Sequence, residues 1–218
     1  MQREDNAASS AAREQMPCPF CQDDILAQYL LKETAHFRLI TDHAPLIEGH
    51  VLIIPKEHYT CYGDVPGTLD AEFLALKDEV RTFFAEYYDV PVYWEHGIFH
   101  QTVFHAHLHC FPFGDIHYDL DTALHAEIIH TQTDLRRWHA AHGHYFFLED
   151  STHAMLFPPD AERYQFIIQK VLWANAAPHF KNTGWRSPQQ RYEVGKPLVQ
   201  ATIAKWRTFE QQGAKHVS

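Results

Sequence analysis

The stretch Val103-Phe104-His105-Ala106-His107-Leu108-His109-Cys110-Phe111 repeats imidazole at strict period two. In an extended strand alternate residues share a face, so His105, His107 and His109 line one side and Phe104, Ala106, Leu108 and Cys110 form an apolar back. A polar, solvent-facing edge would be served equally well by Thr, Lys or Glu, so the repetition asks for a chemical reason. Imidazole can ligate a metal, move a proton or attack an electrophile, and near neutral pH one ring can be neutral while its neighbour is protonated. A neutral central ring could attack phosphorus while an adjacent imidazolium neutralises the leaving oxygen, which suits phosphoryl or nucleotidyl transfer. The rival is a cupin-like metal centre, which would also need a carboxylate and a further strand.

Histidine is abundant throughout: 18 residues of 218, equal to the 18 Lys+Arg, against 28 Asp+Glu, for a net charge of −10 with histidine neutral. That balance excludes bulk attraction to a nucleic acid polymer or an anionic membrane, because counterion release needs a Lys/Arg surface. Any anionic ligand must be held locally. No apolar run approaches the ~20 residues that span a bilayer. The opening residues are polar and Ala/Ser-rich, without the apolar centre of a secretion signal. The expectation is a cytoplasmic protein with a flexible tail over residues 1–15. Four cysteines are too few for a disulfide scaffold, and Cys18-Pro19-Phe20-Cys21 reads as two ligands or a redox pair. Cys61 and Cys110 read as small apolar residues. His96 with His100, and His139 with His142 and His144, read as solvated surface histidines.

Two β-branched runs, residues 37–42 and 50–55, predict strands joined by a loop. Phe73, Leu76, Val80, Phe83 and Tyr87 recur at helical spacing, predicting a helix over 68–88 capped by Thr68 or Asp70. Residues 90–95 and 103–111 predict two more strands, 145–148 and 154–157 a hairpin, and 160–177 and 197–211 two helices. An antiparallel sheet with a few helices is α+β. No Gly/Ser linker divides the chain, so the organisation expected is a core over 16–114 with residues 115–218 as an extension packed on the same domain.

The chain resembles the histidine triad (HIT) family of nucleotide hydrolases and transferases. The family signature of three histidines alternating with apolar residues, then two apolar positions, is matched by His105 through Phe111. Gly49-His50-Val51-Leu52-Ile53-Ile54-Pro55-Lys56-Glu57-His58 is similar to the family's upstream strand. Gln101 and the Cys18/Cys21 pair complete a resemblance over residues 17–113 in the expected order. It implies an antiparallel half-barrel with packed helices, paired as a homodimer, acting on a nucleotide with adenine as the default base and no organic cofactor.

By position, His107 matches the nucleophile that attacks the α-phosphate and carries the nucleotidyl intermediate. His109 matches the residue that contacts phosphate and assists the leaving group, and His50 the fourth histidine of the active site. Gln101 stands where the family places a polar phosphate or leaving-group contact, and Asp42 where a carboxylate holds the ribose. Zinc-containing relatives complete a Cys2His2 site with two histidines that here are His58 and His105, so the resemblance implies a structural zinc on Cys18, Cys21, His58 and His105. Two departures stand out. Glu95-His96-Gly97, shared with a bacterial subgroup, puts a carboxylate where phosphates are expected, so Glu95 must be protonated or paired with an imidazole. Pro112 is followed by Phe113 rather than Arg, which leaves Lys56 or Arg186 as replacement cations. The leading reading is a hydrolase of dinucleoside polyphosphates or nucleoside phosphoramidates. A nucleotidyltransferase and a catalytically weak nucleotide-binding protein are the alternatives, and a histidine-rich metal store is a third class.

Overall fold

The short apolar runs fold as strands because each has a neighbour to complete its ladder. In the computed structural model, which describes residues 18–116, 126–176 and 188–216, β1 (Leu30–Glu33), β2 (Phe37–Thr41) and β3 (Val51–Pro55) pair antiparallel in sequence order. The expected tail, residues 1–15, and Arg186 lie outside the described residues. β4 (Val92–Glu95) and β5 (Leu108–Phe111) follow, then β6 (Glu127–Ile129), β7 (Phe146–Glu149) and β8 (Ala154–Phe157). All join one antiparallel eight-stranded sheet in the order β1-β2-β3-β5-β4-β7-β8-β6. The fold is α+β as expected, and the sheet runs straight across the boundary placed at residue 114: β4 pairs with β7 as fully as with β5.

Register decides which side chains share a face. Leu52 and Trp94 both stand opposite His109 across their ladders, and Trp94 stands opposite Leu148; directly opposed residues point to the same side. The other face, with Val51, Ile53, Tyr93, Cys110 and Phe147, packs on helix α1 (Asp70–Tyr87) through Phe73, Leu76, Val80 and Phe83. Lys77 is buried on that helix because its ammonium meets Glu149 at 2.6 Å and lies over the Tyr93 ring.

Several elements depart from the pattern-based expectations. Helix α1 has no side-chain cap: Thr68 sits in a 3-10 turn, and Asp70 instead makes a two-pronged pair with Arg136 at 2.6 and 2.8 Å. α2 (Gln132–His142) was not anticipated; its start is a capping box between Thr131 and Asp134. Residues expected as one helix from 160 to 177 form α3 (Ala161–Phe166), N-capped by Asp160, and then a π-helical stretch at Ile167–Trp173. That segment packs on the Trp94 face of the sheet through Ile167, Val171 and Leu172. The last helix, α4 (Pro188–His216), begins well before Pro197 and carries that proline inside. Burial of Val199, Ile203 and Trp206, and a bond from the Gly49 N–H to Thr202 Oγ1 at 2.9 Å, hold it against the core. Among the described residues no helix is long and apolar enough to cross a membrane.

The largest departure concerns the histidine segment. Regular pairing begins only at Leu108, and Phe104 is 48% exposed rather than part of an apolar back. Residues 104–107 bend: the Ala106 N–H donates to the Tyr59 carbonyl at 2.7 Å and the His105 N–H to the Val103 carbonyl at 2.9 Å. The bend follows Gly97, whose φ of +51° sets it in the left-handed region and whose added Cβ would stand 2.1 Å from the Tyr145 carbonyl. Gly97→Ala should therefore cost well over the ~1 kcal/mol of positive φ alone. Urea denaturation compared with wild type reads this as a lower midpoint at unchanged slope.

Candidate active site

Backbone groups set the hydrogen positions on the clustered imidazoles. His107 is 5% exposed, and its Nδ1–H donates to the His105 carbonyl at 2.6 Å. Its Nε2 is thereby the unprotonated nitrogen of a neutral ring. His50 takes the opposite tautomer: the Leu46 N–H donates to its Nδ1 at 3.2 Å, so its Nε2–H donates to His109 Nδ1 at 3.0 Å. His109 then carries its proton on Nε2. Phe111 packs against both members of this pair, stacked within 3° of the His109 ring and 4.2 Å from the His50 ring. Burial holds His50 down to about 4, only partly offset by Asp42, and burial holds His107 and His109 below the ordinary histidine value. At neutral pH the cluster is uncharged: His107 presents a lone pair and His109 presents an N–H.

The remaining expected site residues divide. Asp42 is beside the pair, with Oδ2 3.8 Å from His50 Nε2 and Oδ1 held by the Ala44 N–H at 2.7 Å. Burial would raise its carboxyl, but His50, His43, that N–H and Arg191 together hold it lower. Gln101 is buried, and its amide donates to the His105 carbonyl at 2.7 Å and the Thr60 carbonyl at 3.3 Å. Both amide hydrogens are thus spent on backbone, and Gln101 braces the histidine segment instead of reaching outward. Its Oε1 has no hydrogen-bond partner among the described residues.

Glu95 corrects the expectation. It neighbours Trp94, which shares the face of His109, so its own side chain turns to the α1 side of the sheet. Its two oxygens accept from the Tyr62 N–H and the Tyr145 hydroxyl, each at 2.7 Å, and no imidazole orients it. Lys56 is also engaged elsewhere, 3.5 Å from Glu33. Two residues given no site role from the sequence bear on the cluster instead. His96 is not a free surface histidine: its ring is 6.0 Å from His109 and 5.3 Å from Trp94, and its Nδ1–H donates to the Phe99 carbonyl at 3.2 Å. Two residues beyond Trp94 in an extended run, it was readable as sharing that face. Arg191, on α4, places its charge where Asp42, His50 and His109 all feel it.

Cys18, Cys21, His58 and His105, the set the resemblance implies, converge, with one donor atom from each lying within 4.8 Å of the others. Cys21 Sγ is 3.3 Å from His58 Nδ1 and 3.5 Å from His105 Nδ1, and Cys18 Sγ is 3.6 Å from His105 Nδ1. His105 donates its Nε2–H to the Pro55 carbonyl at 2.8 Å, which leaves Nδ1 unprotonated and facing both sulfurs. Two thiols and two imidazoles at these separations are the donor set of a closed tetrahedral zinc site, including a backbone carbonyl that orients a ligand ring. Asp42, His50 and His109 also bring donor atoms within 4.8 Å, a closeness that the His50–His109 hydrogen bond accounts for.

The HIT domain family matches residues 26–115. The chain is 31% identical to an uncharacterized HIT-like protein of Mycobacterium tuberculosis over 106 residues, 44% of this chain and 72% of the relative. It is 35% identical to the adenosine 5'-monophosphoramidase of Schizosaccharomyces pombe over 109 residues, 48% of this chain and 80% of that protein. Solved structures include a hypothetical histidine triad nucleotide-binding protein from Sulfolobus tokodaii, 20% identical, covering 74% of this chain and 93% of that one with a TM-score of 0.40. A Zn-bound histidine triad family protein from Mycobacterium smegmatis is 28% identical, with coverage of 49% and 81% and a TM-score of 0.38. The chain belongs to the HIT family of nucleotide-binding hydrolases and transferases.

Burial pushes the Glu95 carboxyl up to about 7 from 4.5. A carboxyl raised on folding binds more protons in the native than in the unfolded state between those values, so its contribution to stability falls as pH rises through that window. Glu95→Gln does not titrate. Wild type should therefore hold an advantage over Glu95→Gln that is larger at pH 5 than at pH 8, by on the order of 2 kcal/mol. Paired urea titrations at the two pH values measure it.

Proposed function

We propose that this protein hydrolyses nucleotides at the α-phosphate, taking dinucleoside polyphosphates or nucleoside phosphoramidates, through a nucleotidyl group carried on His107. The observation that supports the reading is the opposed pair of tautomers. His107 Nδ1–H is tied to the His105 carbonyl at 2.6 Å, freeing Nε2, and His50 holds His109 with its N–H outward. His107 Nε2 attacks the α-phosphorus. The bond to the leaving group breaks with its electron pair: a nucleotide phosphate departs as its anion, and the nitrogen of a phosphoramidate departs as the amine after taking a proton from solvent. His109 Nε2–H hydrogen-bonds to the phosphoryl oxygen on which charge develops. Water then attacks the same phosphorus, the P–N electron pair returns to His107, the water's proton passes to solvent, and the nucleoside monophosphate is released. Asp42 is assigned to the ribose, and Arg191 to the phosphates in the role first given to Lys56 or Arg186. Adenine is the proposed base by similarity to the Schizosaccharomyces pombe enzyme.

Cys18, Cys21, His58 and His105 would hold a zinc ion whose four positions are all filled by protein, a structural arrangement with none left for substrate. It would fasten the opening turn to the segment carrying His107. His58→Ala should bind one equivalent less zinc than wild type and melt at lower temperature, read by elemental analysis and calorimetry.

The catalytic reading is tested with α-phosphate-labelled diadenosine polyphosphates and adenosine phosphoramidates. Quenching in alkaline denaturant, where a histidine P–N bond survives, should leave label on wild type and none on His107→Ala. Turnover should fall at least ~10³-fold in that variant. Equal labelling of both proteins, or no turnover of any substrate by wild type, refutes it.

A further inference from the structure

On the α1 side of the sheet a second cluster of unlike donor atoms converges. Cys61, fully buried, Asp64 and His139 each bring one ligand atom to within 4.8 Å of the others. Cys61 Sγ is 3.7 Å from Asp64 Oδ2 and 3.9 Å from His139 Nε2, and His139 Nε2 is 3.1 Å from Asp64 Oδ1. A tetrahedron built on metal bonds of about 2.0–2.3 Å has edges of roughly 3.3–3.6 Å; the two sulfur separations lie just above that range, and the imidazole separation, made to the other carboxylate oxygen, lies just below it. These residues come from two elements: the turn over residues 60–64 that follows His58, and the last turn of α2.

The surroundings hold the donors in place. His139 donates Nδ1–H to the Gly143 carbonyl at 2.8 Å, so the nitrogen facing Asp64 is the one that carries the lone pair in a neutral ring. A lone pair aimed at a carboxylate asks for a cation between them or a proton on the ring. Gly63 lets the ring approach, because a Cβ there would stand 2.5 Å from His139 Cγ. The Gly63 N–H donates to the Tyr145 hydroxyl, which in turn donates to Glu95. The Asp64 carboxylate beside Cys61 pairs with no Lys or Arg among the described residues. Sulfur, imidazole nitrogen and carboxylate oxygen together suit a divalent cation of the zinc class rather than magnesium or calcium, which take oxygen ligands.

We propose that Cys61, Asp64 and His139 form a second divalent metal site, of the zinc class, with a fourth position left for water. It is separate from the four-ligand group at Cys18. Binding forms one bond from each side chain to the metal, and the thiol proton of Cys61 passes to solvent. The ion would pin the 60–64 turn to α2.

The test uses the full chain, stripped with a chelator and reloaded with cobalt(II) or zinc(II). Wild type should take up one equivalent more than Asp64→Asn or His139→Gln, both at partly exposed positions. Gly63→Ala should lose the same equivalent. With Cys18 and Cys21 both changed to serine, cobalt should still give a near-ultraviolet thiolate charge-transfer band, and adding Cys61→Ala should abolish it. That band also separates this site from Asp42, His50 and His109, which have no sulfur. Equal metal uptake by wild type and His139→Gln overturns the proposal and leaves His139 and Asp64 as an ion pair. Should the serine variant fail to fold by circular dichroism, the count of wild type against His139→Gln decides alone.

Discussion

The chemistry rests on the bend at residues 104–107. A strand residue spends its carbonyl on the neighbouring ladder. Because the chain leaves the sheet before Leu108, the His105 carbonyl is free to accept from the His107 ring at 2.6 Å and the Gln101 amide at 2.7 Å. Each of these groups is buried, and a buried polar group without a partner costs about 1–3 kcal/mol. The bend therefore satisfies the imidazoles and orients them at the same time. A regular strand through His105 would have kept the period-two row and lost the single tautomer that leaves His107 Nε2 available.

The same economy of position ties the candidate metal ligands to the candidate catalytic ones. His105 faces the cysteines through Nδ1 and is fixed by the Pro55 carbonyl at 2.8 Å through Nε2. Its own carbonyl fixes His107. Both cysteines thus connect to His107, the proposed nucleophile, through the single residue His105. Phe20, between Cys18 and Cys21, packs edge-on to both His105 and His107 at 5.8 and 5.4 Å, so the opening turn contacts the segment through packing as well as ligation.

Six of the strands and the α+β class were legible because they depend on local composition, β-branched runs and alternation, whereas β1 and β6 were not read; the triad was legible from its own spacing, and the roles of His50 and His58 came only from the family resemblance. What was not legible depends on partners distant in sequence. Whether residues 104–107 stay extended is decided by Tyr59, whose carbonyl takes the Ala106 N–H. Which way Glu95 points follows from the pairing of Trp94 with His109, a register that no local pattern encodes. Pro197 reads as a helix start, and α4 runs through it because Val199, Ile203 and Trp206 bury against α1 and the sheet. Thr131 and Asp134 were different: their capping box was written in the sequence and went unread.

A cation close to histidines ordinarily works against their protonation, and here that effect and anion binding point the same way. Arg191 adds to the burial that lowers His50 and His109. The pair thus stays neutral in the free protein, and the His50 Nε2–H to His109 Nδ1 bond keeps its direction. A site of neutral rings has little attraction for a phosphate, whereas a neighbouring guanidinium supplies it without disturbing the tautomers. In the proposed reading Arg191 of α4 stands in for the arginine missing after Pro112, and the place of α4 is set by the Gly49–Thr202 bond and the Lys205–Glu48 pair on the loop that carries His50. The last helix is consequently part of the site's electrostatics and not an appendage to the sheet.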